Sequence, residues 1–506
     1  MSLARLLSRG QRGLDAYEVV VEVHLTGGLP AFAITGLPAA AVRESRDRVR
    51  AALQTSAHSV PSKRITVHLG PADIPKDGGR FDLPIALGIA KAQRGYTWAD
   101  ERIEFIGELA LNGDLRLVTG ALPTLLAAAE AGHAVVMPRA NEHEAALVEN
   151  AEVYVADTLE EVLDHLNGHR SLARAKPGRP RRPPRETLDL ADVRGQDGAK
   201  RALTVAAAGS HNLLMIGPPG SGKSMLAERL RGLLPPLHMD DMKCVASIAS
   251  VAGDSEALAA GMTRGMRAPF RAPHHTTSAV ALVGGGSRPR PGEVSLAHRG
   301  VLFLDELPEF SRTALEALRE PLEAGIARIS RVHEQINFPA EFQLVAAMNP
   351  CPCGHLGDGT DRCQCSPSRL ERYRARISGP LLDRFDLHVE VPRVHFTAVT
   401  DSCPAPETPA LARRIADVRA RQVALRGCLN ARLPDAALWD AVTLEGRTRA
   451  LLDRAAERWQ ISMRSYARVL KVALTLADLE ESGAVTTRHV GEALQLRRLD
   501  RLDRPR

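Results

Sequence analysis

Aromatic side chains are scarce in this sequence. Phe, Tyr and Trp together make up 4% of 506 residues, so stacked nucleic-acid bases would find few ring platforms. No apolar run approaches the ~18 residues that a membrane-spanning helix needs. The apolar part of the opening stretch, MSLARLLSRG, is too short for a secretory leader. Together these absences predict a cytoplasmic protein with no membrane partner. Cysteine is sparse as well: seven residues in so long a chain exclude a disulfide scaffold. Charge of one sign is not in large excess. A net +6 with a pI near 9.0 permits a polyanionic partner without establishing one.

What is present is ordinary for a globular chain, with 44% hydrophobic and 25% charged residues. The length allows about three domains of ~150 residues each. Residues 1–168 read as one mixed α/β domain. Val19–Leu25 and Arg64–Leu69 resemble strands, and Ala39–Gln54 and Pro84–Ala92 have helical character. Residues 169–185 hold seven Lys/Arg, four Pro and no acid. Proline and self-repulsion make 169–187 an extended linker, either a solvated tether or a strap for phosphates. From 188 to 395, strands, helices and glycine turns alternate as in a parallel α/β sheet. The pattern over 396–506 is helical, clearest at Ile415–Leu425 and Met463–Leu479. Beyond Leu494 five arginines stand against two aspartates, which reads as a solvated end.

The strongest chemical signal is LLMIGPPGSGKS at 213–224. An apolar strand runs into Gly217, Pro218, Pro219, Gly220, Ser221, Gly222, Lys223 and Ser224, and a helix follows. This is a phosphate-binding loop in its required context. The glycines let backbone N–H groups wrap phosphates, Lys223 adds a positive charge for the β- and γ-phosphates, and Ser224 offers a hydroxyl to Mg²⁺. The helix N-terminus adds its dipole. About 80 residues on, GVLFLDE at 300–306 ends a buried strand in two acids. Asp305 suits a Mg²⁺ shell, and Glu306 suits the polarising of an attacking water. FQLVAAMN at 342–349 is another apolar strand, and its Asn349 is either a turn residue or a group that senses the γ-phosphate. In GPLLDRFD, Arg384 is either a surface ion pair or a finger reaching a neighbouring subunit's γ-phosphate. Arg464, at the start of a C-terminal helix, is a second candidate for nucleotide contact.

Four of the cysteines cluster. Cys351, Cys353, Cys363 and Cys365 form two close pairs within an insert at 351–365, suited to a tetrahedral Zn²⁺. Cys-x-Cys spacing departs from that of standard zinc fingers, so reduced thiols or a redox pair are alternatives, and His355 could replace one cysteine.

Several long stretches, including DVRGQDGAKRAL, GPPGSGKS, FRAPHHTTSAVALVGGG, RPGEVSLAHRGVLFLDELPEF, AAMNPCPCG and ISGPLLDRFDLHVEV, resemble the magnesium-chelatase-like AAA+ family, most closely its bacterial ComM/YifB branch. The resemblance covers essentially the whole chain. It implies an α/β fold: an AAA+ P-loop core, an α+β Lon-protease-like N-terminal domain and a helical C-terminal lid. It also implies a homo-hexameric ATPase using ATP and Mg²⁺ between subunits. The expected role is branch migration on single-stranded and branched DNA, with a recombinase as a partner, aiding integration of incoming DNA in natural transformation. On this mapping Lys223 and Ser224 belong to Walker A, Asp305 and Glu306 to Walker B, and Asn349 is the first sensor. Arg384 is the finger acting in trans, and Arg464 the second sensor acting within its own subunit. The loops around His274–Gly286 and Ala327–Glu334 fall where related helicases have pore loops. Arg328, Arg331 and His333 are therefore candidate DNA contacts, or merely exposed charges on a hairpin.

The stretch HLGPADIPKDGGRFDLPIALGIA is similar to Lon-type proteases, which carry their nucleophilic serine shortly after PKDG. Here Gly79, Arg80, Phe81 and Asp82 follow. No hydroxyl or thiol is available, so peptide hydrolysis is not expected. The alternative function is a chelatase-type motor subunit that remodels a protein partner.

Overall fold

The structure is a computed structural model. It describes residues 2–56, 60–96, 98, 102–176, 188–261, 267–286, 289–330, 335–357, 361–393 and 407–497. The chain divides into two compact units. One comprises residues 1–183 with 239–264, the other 184–238 with 265–506.

The first unit is built on an eight-stranded sheet. Its strand order is Ala173–Arg174, Val153–Ala156, Ala134–Pro138, Ile103–Phe105, Ser2–Arg12, Asp15–Thr26, Arg64–Gly70 and Ala31–Thr35. Ser2–Arg12 is thus a central strand. It pairs antiparallel with Asp15–Thr26 through a tight turn from Arg12 to Asp15, where Gly13 takes a positive φ of 61°. Val19, Val21, Val23 and Leu25 alternate inward along Asp15–Thr26, the period of a half-buried strand. The helices Ala40–Thr55 and Asp82–Arg94 cover that face, and Leu83, Ile85, Leu87 and Ile89 are fully enclosed. Near the other end a buried Arg9–Glu104 ion pair, 2.7 Å, ties Ser2–Arg12 to Ile103–Phe105.

Two boundaries differ from the sequence reading. The helix Met239–Ala252 lies beyond the P-loop in sequence, yet it packs in this first unit. Buried Glu144 holds it, accepting from Ser250 Oγ at 2.5 Å and from Leu122 N–H at 2.8 Å. The basic segment begins inside the sheet, because Ala173–Arg174 pairs antiparallel with the strand Val153–Ala156. Residues 177–187 of that segment lie outside the described residues.

The second unit carries a five-stranded sheet in the order Phe270–Arg271, Val301–Leu304, Gln343–Met348, Leu213–Ile216 and Leu387–Glu390. Every pairing in it is parallel. Its three central strands are short, largely apolar and buried, as parallel strands covered on both faces are. The sheet therefore delivers all five C-terminal ends to one edge, where ligands of open α/β sheets bind.

The helices Thr408–Arg426, Gly446–Trp459, Met463–Leu479 and Thr487–Gln495 complete this unit. Met463–Leu479 starts where Ser462 accepts the Ser465 N–H, an N-cap. Val469, Leu470, Val472, Ala473 and Leu476 then enter the core. A bidentate Arg426–Asp478 pair, 2.8 and 2.9 Å, links it to Thr408–Arg426. The chain beyond Leu494 is not all solvated: Arg497 is 1% exposed. It donates to Phe385 O at 2.9 Å and Ser465 Oγ at 3.2 Å. Among the described residues no helix is long and apolar enough to cross a membrane.

Candidate functional site

The parallel sheet brings the segments 217–224, 272–275, 305–306 and 349 to the same edge. Gly217 follows the strand Leu213–Ile216 directly. A Cβ there would stand 2.1 Å from Val391 O, so only glycine fits against the neighbouring strand's end. Gly220 and Gly222 have φ of 74° and 93°, a region that side chains with a Cβ rarely adopt. No atom lies within 4 Å of where a Cβ would stand on either. The loop is thus an open backbone cradle leading into the helix Lys223–Leu233. Gln196, from the segment before the sheet, donates to Ser221 O at 3.3 Å and Pro392 O at 2.5 Å. Ser221 Oγ and Gln196 Oε1 are buried without a hydrogen-bond partner, as in a site built to receive a polar ligand.

Lys223 is nearly buried. Its ammonium donates to Gly217 O at 2.7 Å, Pro218 O at 2.9 Å and Asn349 Oδ1 at 3.2 Å. All three acceptors are neutral. Burial lowers the lysine's pKa, and the charges of Asp305 and Glu306 oppose that shift. An anion beside the ammonium would relieve the desolvation. Asn349 is therefore not just a turn residue, since its side chain reaches the P-loop lysine.

Ser224 Oγ donates to Asp305 Oδ2 at 2.7 Å. That is close to the ~2.9 Å edge of an octahedron with ~2.1 Å metal–oxygen bonds, so the pair fits a hard Mg²⁺. Glu306 sits at φ 50°, a left-handed conformation that costs a non-glycine residue roughly 1–3 kcal/mol. Its N–H caps Asp305 Oδ1 at 2.9 Å, and its carboxylate lies 3.2 Å from His275 Nδ1. His274, His275, Phe303, Asp305 and Glu306 line a cavity of about 270 Å³. The sequence reading gave His275 no role of its own. The signal was there in hindsight: Phe270–Arg271 pairs in parallel with Val301–Leu304, which brings the residues after both strands together.

Arg384 is not a surface ion pair. It is 5% exposed, and its guanidinium donates to Pro380 O and Glu323 Oε1. Neither neighbouring aspartate is its partner. Asp386 instead takes Arg468 at 2.6 Å. Burial lowers the Arg384 pKa; Glu323 opposes this, and the like charges of Arg319, Arg468 and Arg464 add to it. Arg384 and Arg464 therefore share one electropositive cluster. Arg464 is exposed at the start of its helix.

Arg328 lies on the hairpin formed by Ile326–Ser330 and Gln335–Pro339, opposite Asn337. It is exposed and 3.4 Å from Glu320, a contact worth little in water. Arg331 and His333 lie outside the described residues. The Sγ atoms of Cys351, Cys353, Cys363 and Cys365 all fall within 4.8 Å of one another. Their group contains no histidine, so His355 does not replace a cysteine in it.

In the first unit, the positions after PKDG are spent on structure. Arg80 is buried and donates to Gln11 Oε1 at 2.6 Å and Thr119 O at 2.5 Å. Burial lowers its pKa to about 10. Asp82 receives Arg48 at 2.6 and 3.1 Å.

Residues 189–399 match the family described as Magnesium chelatase, subunit ChlI. Residues 21–141 match Subunit ChlI of Mg-chelatase, and 406–497 match Magnesium chelatase, subunit ChlI C-terminal. The chain is 46% identical over 510 residues to Competence protein ComM of Haemophilus influenzae, covering 99% of each. It is 42% identical to the YifB protein of Escherichia coli over 504 residues, 99% of this chain and 98% of the relative. It is 29% identical to the Magnesium-chelatase 67 kDa subunit of Heliobacterium mobile over 244 residues, 42% of this chain and 36% of that one.

Proposed function

We propose that this chain, which belongs to the ComM/YifB branch of the magnesium-chelatase-like AAA+ family, is an ATP-driven motor that promotes branch migration of DNA. The observation that carries the ATPase part is the convergence on Lys223. Its ammonium, Asn349 and the P-loop carbonyls share hydrogen bonds, while Ser224 and Asp305 stand at metal-ligand spacing beside them.

In this reading the P-loop N–H groups and Lys223 bind the phosphates, and Ser224 and Asp305 hold Mg²⁺. Bound there, Mg²⁺ neutralises charge on the β- and γ-phosphates. Glu306 orients the attacking water and takes its proton, and Asn349 registers the γ-phosphate. Arg384 reaches the γ-phosphate of a neighbouring subunit's nucleotide, and Arg464 contacts the nucleotide of its own subunit. The ring is a homo-hexamer, cytoplasmic, working with a recombinase, and Arg328, Arg331 and His333 contact DNA phosphates. The four cysteines hold a structural Zn²⁺. The first unit is a Lon-like domain without a nucleophile, used for assembly or DNA handling.

The DNA part leans on likeness along the full length to a protein named for competence. A chelatase-type motor has weaker support from individual relatives: the chain is 29% identical to a chelatase subunit over 42% of its length, against 46% over 99% for the competence protein.

The test is strand exchange on a labelled three- or four-stranded junction with ATP and Mg²⁺, comparing wild type with Lys223→Ala. Exchange by wild type alone supports the DNA motor. ATP hydrolysis that ignores DNA and leaves junctions intact overturns it in favour of a protein-remodelling role.

A further inference from the structure

We infer that Cys351, Cys353, Cys363 and Cys365 bind one Zn²⁺, and that this knuckle is a strut that holds the P-loop in its phosphate-binding shape. The inference rests on the ATP-site reading given above and adds its control by a metal.

Cys351 Sγ is 3.3 Å from Cys353 Sγ and 3.8 Å from Cys363 Sγ. One thiol thus touches both Cys-x-Cys pairs, and the cluster has a single centre. A tetrahedron with ~2.3 Å Zn–S bonds has an edge of ~3.8 Å. The spacing fits one ion held by four sulfurs. Zinc suits that geometry and ligand set best.

The backbone around the sulfurs is arranged for thiolates. Leu356 N–H donates to Cys351 Sγ at 3.4 Å. Such a donor orients a metal-bound thiolate and spreads its charge. Four thiolates this close would repel one another without a cation among them. Gly354 and Gly357, at φ 80° and 78°, supply the turn, and Gly354 N–H closes it on Cys351 O at 3.0 Å.

The turn abuts the nucleotide site. A Cβ on Gly354 would lie 2.6 Å from Pro219 Cδ and 3.9 Å from Asn349 Cγ. Pro219 belongs to the P-loop, and Asn349 hydrogen-bonds Lys223. Cys351, fully buried, comes two residues after Asn349. Behind it, buried Tyr373 presents its hydroxyl to the Asn349 backbone. The metal would thus fix a turn with Pro219 on one side and the sensing amide on the other. Loss of the ion frees that turn, and the P-loop loses its backing.

The experiment uses the full chain purified under reducing conditions without chelator. Elemental analysis should find about one zinc per chain, released by a thiol-modifying reagent and detected by a colorimetric chelator. Binding of a fluorescent ATP analogue is then measured on zinc-loaded, stripped and zinc-restored protein. Stripping should weaken binding about tenfold, the equivalent of one charge-assisted hydrogen bond to phosphate, and restoration should recover it. Gly354→Ala should keep its zinc, melt a few degrees lower because its φ of 80° strains a side chain, and bind the analogue more weakly. Protein without zinc, or with iron in its place, overturns the site. Full zinc with unchanged ATP affinity after stripping and in Gly354→Ala overturns the strut. Neither readout involves DNA, so failure of branch migration leaves both intact. Absence of analogue binding by zinc-loaded wild type would instead sink the ATPase reading.

Discussion

Replacing Lys223 by methionine separates a functional lysine from a structural one. The side chain is 8% exposed, so methionine keeps most of the packed stem and removes only the ammonium. In the protein without nucleotide that ammonium has no hydrogen-bonded carboxylate, only two backbone carbonyls and the Asn349 amide oxygen. Its removal leaves the carbonyls short of a donor, at about 1–3 kcal/mol each when buried. It also removes the desolvation that lowers the lysine's pKa. These opposing effects leave a shift of about 1 kcal/mol, a few degrees in melting temperature for a unit of this size. With ATP bound, the lysine makes charge-assisted contacts to two phosphates, roughly 1.5–3 kcal/mol each. Their loss, about 3–6 kcal/mol, weakens binding by ~10²–10⁴. The assay is a thermal melt with and without ATP-Mg²⁺, paired with titration of a fluorescent analogue. Wild type should melt higher with ATP, by linkage, and Lys223→Met should not respond. The reasoning is refuted if the variant melts far below wild type without ATP, or binds ATP as tightly.

Two further predictions follow from the same unit. Glu306→Gln should keep ATP affinity while steady-state hydrolysis falls by ~10²–10⁴, the contribution of a positioned general base; unchanged turnover would remove Glu306 from the chemistry. His298 is buried, and burial, more than the charges of Arg299 and Arg432, depresses its pKa to about 3. Glu341 N–H donates to its Nδ1 at 3.1 Å, so the folded state holds it neutral. Unfolded, it takes a proton near its ordinary value of ~6.5, so stability is complete above that pH and falls as pH drops toward the folded value. Between pH 7 and 5 this loss is about 2 kcal/mol. Chemical denaturation of His298→Gln should flatten that slope, and equal slopes in both proteins would refute the assignment.

The strands and helices around the nucleotide site were legible because their signals are local. LLMI, VLFL and LVAAM are continuous apolar runs, and each lies in a buried strand of the sheet. Met463–Leu479 matches its sequence expectation residue for residue. Ser2–Arg12 was missed as a strand because it mixes polar and apolar residues and owes its place to pairing with Asp15–Thr26. Arg384 was read between two aspartates along the chain, but its partner Glu323 comes from 61 residues away. Pairings of that kind depend on which segments the sheet sets side by side, and no window of sequence contains them.

By itself the sequence determined the chemistry available to this protein. The glycines that tolerate positive φ, the lysine and the hydroxyl lie together in 217–224, and the paired acids end a second apolar strand at 305–306, so each group is legible in its own short window. Tertiary structure decided what surrounds that chemistry. Parallel pairing set His275 against Glu306 and Asn349 against Lys223. Packing put the cysteine turn on Pro219, gathered Arg319, Arg384, Arg464 and Arg468, and drew Met239–Ala252 into the first unit. Those contacts join residues far apart in the chain, and burial of apolar surface, which has no direction along the sequence, is what brings them together.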